Sequence, residues 1–272
     1  PVSVVGNKIF LSGLIDENPE ILIRNFSNTI DIIPLLDHQG RLVAIGKRGN
    51  GKIQIENRII DAKSPAFIIA EIGNNHNGEI DVAKRLVDEA RQSGADCVKF
   101  QMRDMASLYR NTGQSDDIRE DLGSQYVLDT LARFQLDNDE MFEVFDYAKE
   151  QGIMPLCTPW DLASLQRLED YGVEAYKIAS ADLTNHQLLR AAAATSKPVI
   201  VSTGMSRESE IIAATDVLRE AGGLFAMLQC NSTYPAPFSS INLLYMDRLK
   251  NIGKCEIGYS GHERGYGVVL AA

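Results

Sequence analysis

The sequence predicts an α/β protein, a (β/α)8 barrel lacking its eighth strand and preceded by a small β-rich segment. Three observations carry this prediction. From residue 66 onward short apolar runs alternate with helical stretches, and each run ends in a polar loop. No G-x-G-x-x-G fingerprint follows the first run, which argues against a dinucleotide-binding sheet.

Residues 1–65 differ in texture from the rest of the chain. Ile32-Ile33-Pro34-Leu35-Leu36-Asp37, the turn His38-Gln39-Gly40 and the run 41–46 read as a hairpin. The barrel is assigned to residues 66–272 and opens with the strand Phe67 to Ile72 and the loop Asn75-His76-Asn77-Gly78. Ile80, Ala83, Val87 and Ala90 then share one face of a helix near 80–93, ended by Gly94.

Cys97-Val98-Lys99-Phe100 begins the second unit, whose connection to about residue 152 is far longer than an ordinary loop. Its last part, with Met141, Phe142, Phe145 and Ala148 before Gly152, reads as the packing helix. Strands near 153–157, 174–179, 197–202, 224–230 and 255–260 follow, separated by helices such as 162–170, with Asp161 as its N-cap, and 208–220. This order implies a parallel sheet with helices outside. The chain stops at Ala272 within the helix after the seventh strand, so these residues alone are not expected to close a barrel.

Composition narrows the function classes. A chain of 272 residues with 44% hydrophobic and 24% charged content is ordinary for one large or two modest globular domains. A net charge of −10 argues against broad binding to nucleic acid or anionic membrane, which demand a basic face. Cys97, Cys157, Cys230 and Cys255 lie in or beside predicted strands and read as reduced core residues of a cytoplasmic protein. No basic-then-apolar leader opens the chain, and no apolar run nears the roughly 20 residues that span a bilayer.

Chemistry collects at the strand ends. Lys99 and Gln101 alternate on one strand, so both point to the barrel interior, and Lys177 repeats the pattern. An inward lysine needs an anionic partner. One alone reads better as a structural ion pair with a barrel carboxylate; two converging on one mouth make a phosphate or carboxylate site. Thr158, Ser180, Ser202 and Ser260 add hydroxyl donors at four strand ends, although each singly also suits a cap or turn.

Together with Asn75-His76-Asn77-Gly78, the segments Val98-Lys99-Phe100-Gln101, Leu156-Cys157-Thr158-Pro159, Tyr176-Lys177-Ile178-Ala179-Ser180, Val201-Ser202-Thr203-Gly204, Leu228-Gln229-Cys230-Asn231 and Ile257-Gly258-Tyr259-Ser260-Gly261-His262 resemble the sialic acid synthase family. That family condenses phosphoenolpyruvate with an N-acyl hexosamine to make a nine-carbon acidic sugar. The resemblance covers roughly residue 66 to the end. It implies that Lys99, Thr158, Lys177, Ser180, Ser202 and Ser260 hold phosphoenolpyruvate, and that Glu71 and Gln101 lie near the sugar aldehyde and a metal-bound water.

His262 falls where the family places one of two histidines on a divalent cation, manganese first, with magnesium or cobalt as alternatives; the second histidine would lie beyond Ala272. Asn75 and His76 are expected to shape the sugar pocket. Asp182 and Tyr234 are assigned to catalysis and Ser232 to substrate binding. Asp182 stands where the family often has glutamate, and Ser232 where it often has asparagine. The resemblance further implies a homodimer, whereas nothing similar to the family's C-terminal antifreeze-like domain occurs here.

The hairpin in the first segment resembles half of a cystathionine-β-synthase-type module, which elsewhere binds adenine nucleotides. The rival expectation is therefore a nucleotide-sensing regulatory protein on an incomplete barrel.

Overall fold

The computed structural model of the chain describes residues 12–17, 22, 32–47, 53–108 and 130–272. These fall into two compact units, Pro1–Lys52 and Ile53–Ala272. In the first, strand β1 (Gly13–Leu14) runs parallel to β2 (Ile32–Leu36), and β2 pairs antiparallel with β3 (Leu42–Lys47), the hairpin expected from sequence. The Asp37 carboxylate organises its turn by accepting from the backbone N–H groups of Gln39 and Arg41, each at 2.9 Å.

The second unit opens with a hairpin, β4 (Ile53–Ile55) and β5 (Arg58–Ile60), within the stretch that sequence texture assigns to the N-terminal segment. Ile53 and Ile55, each 1% exposed, pack among Cys97, Met154, Leu156, Ala175, Ile200 and Ala226 inside the barrel sheet. The hairpin thus plugs the amino-terminal end of the barrel. Arg58 pairs with Asp96, whose second carboxylate oxygen accepts from the Ile68 N–H at 2.7 Å. Alternation over three residues is too short a signal to separate this plug from an ordinary appendage.

Seven parallel strands form the main sheet in the order β6 (Ile69–Gly73), β7 (Cys97–Met102), β8 (Met154–Pro159), β9 (Tyr176–Ile178), β10 (Val199–Ser202), β11 (Phe225–Cys230) and β12 (Glu256–Ser260). Helices α1 (Ile80–Gln92), α2 (Asn138–Glu150), α3 (Leu162–Tyr171), α4 (His186–Ala194), α5 (Glu208–Glu220) and α6 (Tyr245–Gly253) cross between them. Asp137 and Glu140 form a capping box on α2, and Asp161 caps α3 through the Ser164 N–H at 2.7 Å. Part of the long connection after β7, residues 109–129, lies outside the described residues.

Period-two alternation sorts the strand residues into two layers. Val98, Phe100, Tyr176, Ile178, Val199, Val201 and Met227 face the helices, against Ala83, Val87, Phe145, Leu168 and Leu218. Cys97, Leu156, Ala175, Ile200 and Ala226 form the inner layer near the plug. Continuing along the same inner faces come Lys99, Gln101, Thr158, Lys177, Ser202 and Cys230. The interior is consequently apolar at the amino ends of the strands and polar at their carboxyl ends. Strands β6 and β12 are the sheet's two edges, so the described residues form an open, seven-stranded barrel sheet, in line with the seven strands expected from sequence. No described helix is long and apolar enough to cross a membrane.

Candidate active site

Glu71 and Lys99 are register partners on β6 and β7, and the pairing slips by one residue just beyond them, between Glu71 and Gly73. Such a bulge at a barrel rim re-aims the strand end. The Lys99 ammonium sits 2.8 Å from Glu71 Oε2 and donates to Thr158 Oγ1 at 3.0 Å. Lys99 is buried while Glu71 is largely exposed, so the carboxylate reaches down from the mouth to the lysine.

Lys177 is the second inner lysine, 6% exposed. Its only hydrogen-bond partner among the described residues is the carbonyl of Ile178, 3.1 Å away. Burial, reinforced by the nearby Lys99 charge, lowers its pKa to about 7. The inner face therefore holds one lysine paired with a glutamate and another whose only hydrogen-bond partner among the described residues is a backbone carbonyl.

A second group gathers at the ends of β9 to β12. Ser180 Oγ accepts from the Gly204 N–H at 3.0 Å and contacts Cys230 Sγ at 3.5 Å. Gly204 is glycine because the space is taken: a Cβ there would lie 2.4 Å from Ser232 Oγ and 2.9 Å from Ser180 Oγ. His262 Nε2 hydrogen-bonds the Tyr234 hydroxyl at 2.8 Å, the two rings tilted by 31° with centroids 4.0 Å apart. Its Nδ1 is 2.5 Å from the Asn231 carbonyl oxygen and 3.9 Å from Cys230 Sγ.

The imidazole is pushed above its ordinary range, chiefly by the Cys230 contact and in part by the Glu71 carboxylate. Burial works to raise the Cys230 thiol, but contacts with His262 and Ser180 outweigh it and hold the thiol low. His262, beyond one edge strand, thus feels the carboxylate of Glu71 on the other across a single mouth.

Other expected residues sit at graded distance from this centre. Ser202 Oγ is buried at the end of β10 without a hydrogen-bond partner among the described residues. Ser260 is the register partner of Cys230. Asn75 is exposed on the loop after β6. His76 is fully buried instead: its Nδ1 accepts from the Gly78 N–H at 3.1 Å and its ring lies 6.1 Å from that of Phe100, so it shapes the loop from within. Asp182, in the short turn Ser180–Asp182, accepts from Asn185, and burial raises its pKa. A cavity of about 790 Å³ beside the mouth shares Gly204 and Cys230 with it but touches neither lysine.

Sequence reasoning missed Cys230, Gly204 and Arg103. The last continues the alternation of Lys99 and Gln101, which was a usable signal; nothing local distinguishes Cys230 from a core cysteine.

The model of the NeuB family matches residues 86–272. The chain belongs to the NeuB family. It is 37% identical over 210 residues to N,N'-diacetyllegionaminic acid synthase of Campylobacter jejuni, covering 75% of this chain and 63% of the relative. It is 31% identical over 218 residues to N-acetylneuraminate-9-phosphate synthase of Mus musculus, covering 79% and 60% respectively. The crystal structure of N-acetylneuraminic acid synthetase from Leptospira borgpetersenii superposes with a TM-score of 0.73 at 31% identity, over 80% of this chain and 73% of that one. This chain thus spans about three fifths of the length of these curated relatives. The NeuB match begins after the N-terminal hairpin and gives no support to a cystathionine-β-synthase-type module.

A divalent cation fits poorly on the NeuB residues present. Both His262 nitrogens are engaged within the chain, and no group of three His, Cys, Asp or Glu side chains converges among the described residues. A cation would need further donors from outside them.

Proposed function

We propose that this NeuB-family chain carries the phosphoenolpyruvate-holding part of a site that joins phosphoenolpyruvate to an N-acyl hexosamine of the N-acetylmannosamine type. The reading rests above all on Lys177, a buried lysine whose hydrogen-bond partner among the described residues is a backbone carbonyl alone, facing the same interior as Lys99. Phosphoenolpyruvate bears a phosphate and a carboxylate; Lys177 supplies positive charge where water is scarce, and Lys99, paired with Glu71, adds N–H donors on the same inner face. The Thr158, Ser180 and Ser202 hydroxyls add neutral donors, and the unpartnered Ser202 Oγ suits an incoming phosphate oxygen.

In this reaction C3 of phosphoenolpyruvate forms a bond to the aldehyde carbon of the open-chain sugar, water adds at C2, and phosphate departs with cleavage of its C–O bond. The chain's own contribution is positioning and electrostatic stabilisation. Lys99 and Lys177 orient the anion, while Glu71 and Gln101 border the acceptor side. Tyr234, braced on His262, would pack against the sugar, with Asn75, Ser232, Asp182 and Ser260 around the rim. A manganese ion, or magnesium or cobalt, remains part of the proposal only with ligands added to His262 from elsewhere. The relatives are named for several different acidic sugars, which supports the reaction class and spreads the acceptor over N-acyl hexosamines. The four free cysteines favour a reducing, cytoplasmic setting, and a homodimer is the proposed assembly.

The test is phosphate release from phosphoenolpyruvate, with and without manganese, by the full-length polypeptide containing this chain, across a panel of N-acyl hexosamines. Release that requires an acceptor and disappears in Lys177→Met supports the reading. Absence of release with every acceptor rejects it.

A further inference from the structure

Gln101 and Glu71 converge on one side of Gly73, with no side chain between them. A Cβ built on Gly73 would lie 3.2 Å from Glu71 Oε1 and 3.3 Å from Gln101 Nε2, so the two polar atoms flank the face that the glycine leaves open. A carboxylate oxygen accepts and an amide NH2 donates, so the pair is matched to a hydroxyl, which does both. The match holds only while the amide presents nitrogen rather than oxygen, and a free glutamine side chain can rotate to present either.

Arg103 removes that freedom. Its Nη2 donates to Gln101 Oε1 at 2.6 Å, and because a guanidinium has no acceptor, the glutamine atom facing it must be the oxygen. Arg103 is itself held. Its guanidinium carbon lies 4.3 Å from the centroid of the Trp160 ring, and the Trp160 backbone N–H donates to the Met102 carbonyl at 3.1 Å, tying the end of β7 to the end of β8. The next residue is pinned as well: the Asp104 N–H donates to Asp161 and its carboxylate meets Arg167, each at 2.8 Å.

We propose that Arg103 is a positioning residue that locks the Gln101 amide with its NH2 group toward Glu71, so that the two side chains read one hydroxyl of the acceptor sugar. The inference rests on the condensation proposed above. Supporting residues that fix a contacting group are what make such a pair selective.

The experiment compares acceptor and phosphoenolpyruvate KM values in the full-length protein for Arg103→Leu, Gln101→Ala and the double variant, using the best N-acyl hexosamine of the panel. Each single variant is expected to raise the acceptor KM about tenfold or more, with the phosphoenolpyruvate KM within about twofold. The double variant should be no worse than Gln101→Ala, because Arg103 acts through Gln101. Additive losses, or equal shifts in both KM values, overturn the proposal. Should Arg103→Leu fold poorly, Arg103→Lys, which keeps a donor, is read by the same split and should restore part of the loss. A wild-type protein inactive with every acceptor would instead defeat the condensation reading, and this inference with it.

Discussion

Glu71 and Lys99 face each other across adjacent parallel strands, 2.8 Å between charged ends, with the lysine side chain 4% exposed and the glutamate 55%. The pair joins the outer rim of the mouth to its buried floor. Lys99 is thus already paired with a carboxylate, whereas Lys177, two strands away on the same inner face, has no carboxylate partner among the described residues.

Glu71→Gln leaves Lys99 with the Thr158 hydroxyl alone among these two contacts. Because the carboxylate is half in solvent, the loss of stability should be modest, about 1 kcal/mol in urea unfolding, while phosphate release should fall at least about tenfold. A stability loss of several kcal/mol would show that the pair is mainly structural.

Lys177 has a folded-state pKa of about 7 against an ordinary 10.5. Between those values the unfolded chain binds the proton and the folded chain does not, so this residue makes stability rise with pH across that window; below about pH 7 both states are protonated and the full cost persists. Lys177→Met should accordingly stabilise the protein at pH 6, by on the order of 3 kcal/mol, with the gain shrinking toward pH 10 and activity lost throughout. Urea midpoints at pH 6, 8 and 10 check the trend, and a gain that grows with pH would contradict it. For the unmodified protein, phosphoenolpyruvate binding should weaken as pH rises above 7, followed by calorimetry.

Gly204→Ala forces a methyl group to within 2.4 Å of Ser232 Oγ and 2.9 Å of Ser180 Oγ. Short side chains can turn aside, so the stability cost should stay near 1–2 kcal/mol, but the displaced hydroxyls should weaken phosphoenolpyruvate binding about tenfold. Unchanged affinity would exclude Ser180 and Ser232 from the ligand's surroundings.

Ile55→Ala tests the plug. A fully buried isoleucine among Leu156, Ile200 and Ala226 should cost about 2–4 kcal/mol when truncated. A cost near zero in urea unfolding would mean that the hairpin only rests against the barrel.

The strand-and-helix order, the parallel sheet and the inward lysines were all legible in the sequence, because alternation along a strand and periodicity along a helix are local properties. Lys99 and Gln101 share a face whatever else the chain does, and Asp161 caps its helix from the residues next to it. The tertiary structure alone decided which of these residues meet. His76, read as a pocket residue, is sealed inside its own loop by packing on Phe100, and residues 53–60 left the N-terminal segment to fill the barrel floor. Cys230 and His262, 32 residues apart in sequence, come together because neighbouring strands end at the same level, and His262 senses the Glu71 carboxylate because the sheet curls. Contacts of that kind depend on curvature and register summed over seven strands, which no single segment of the chain encodes.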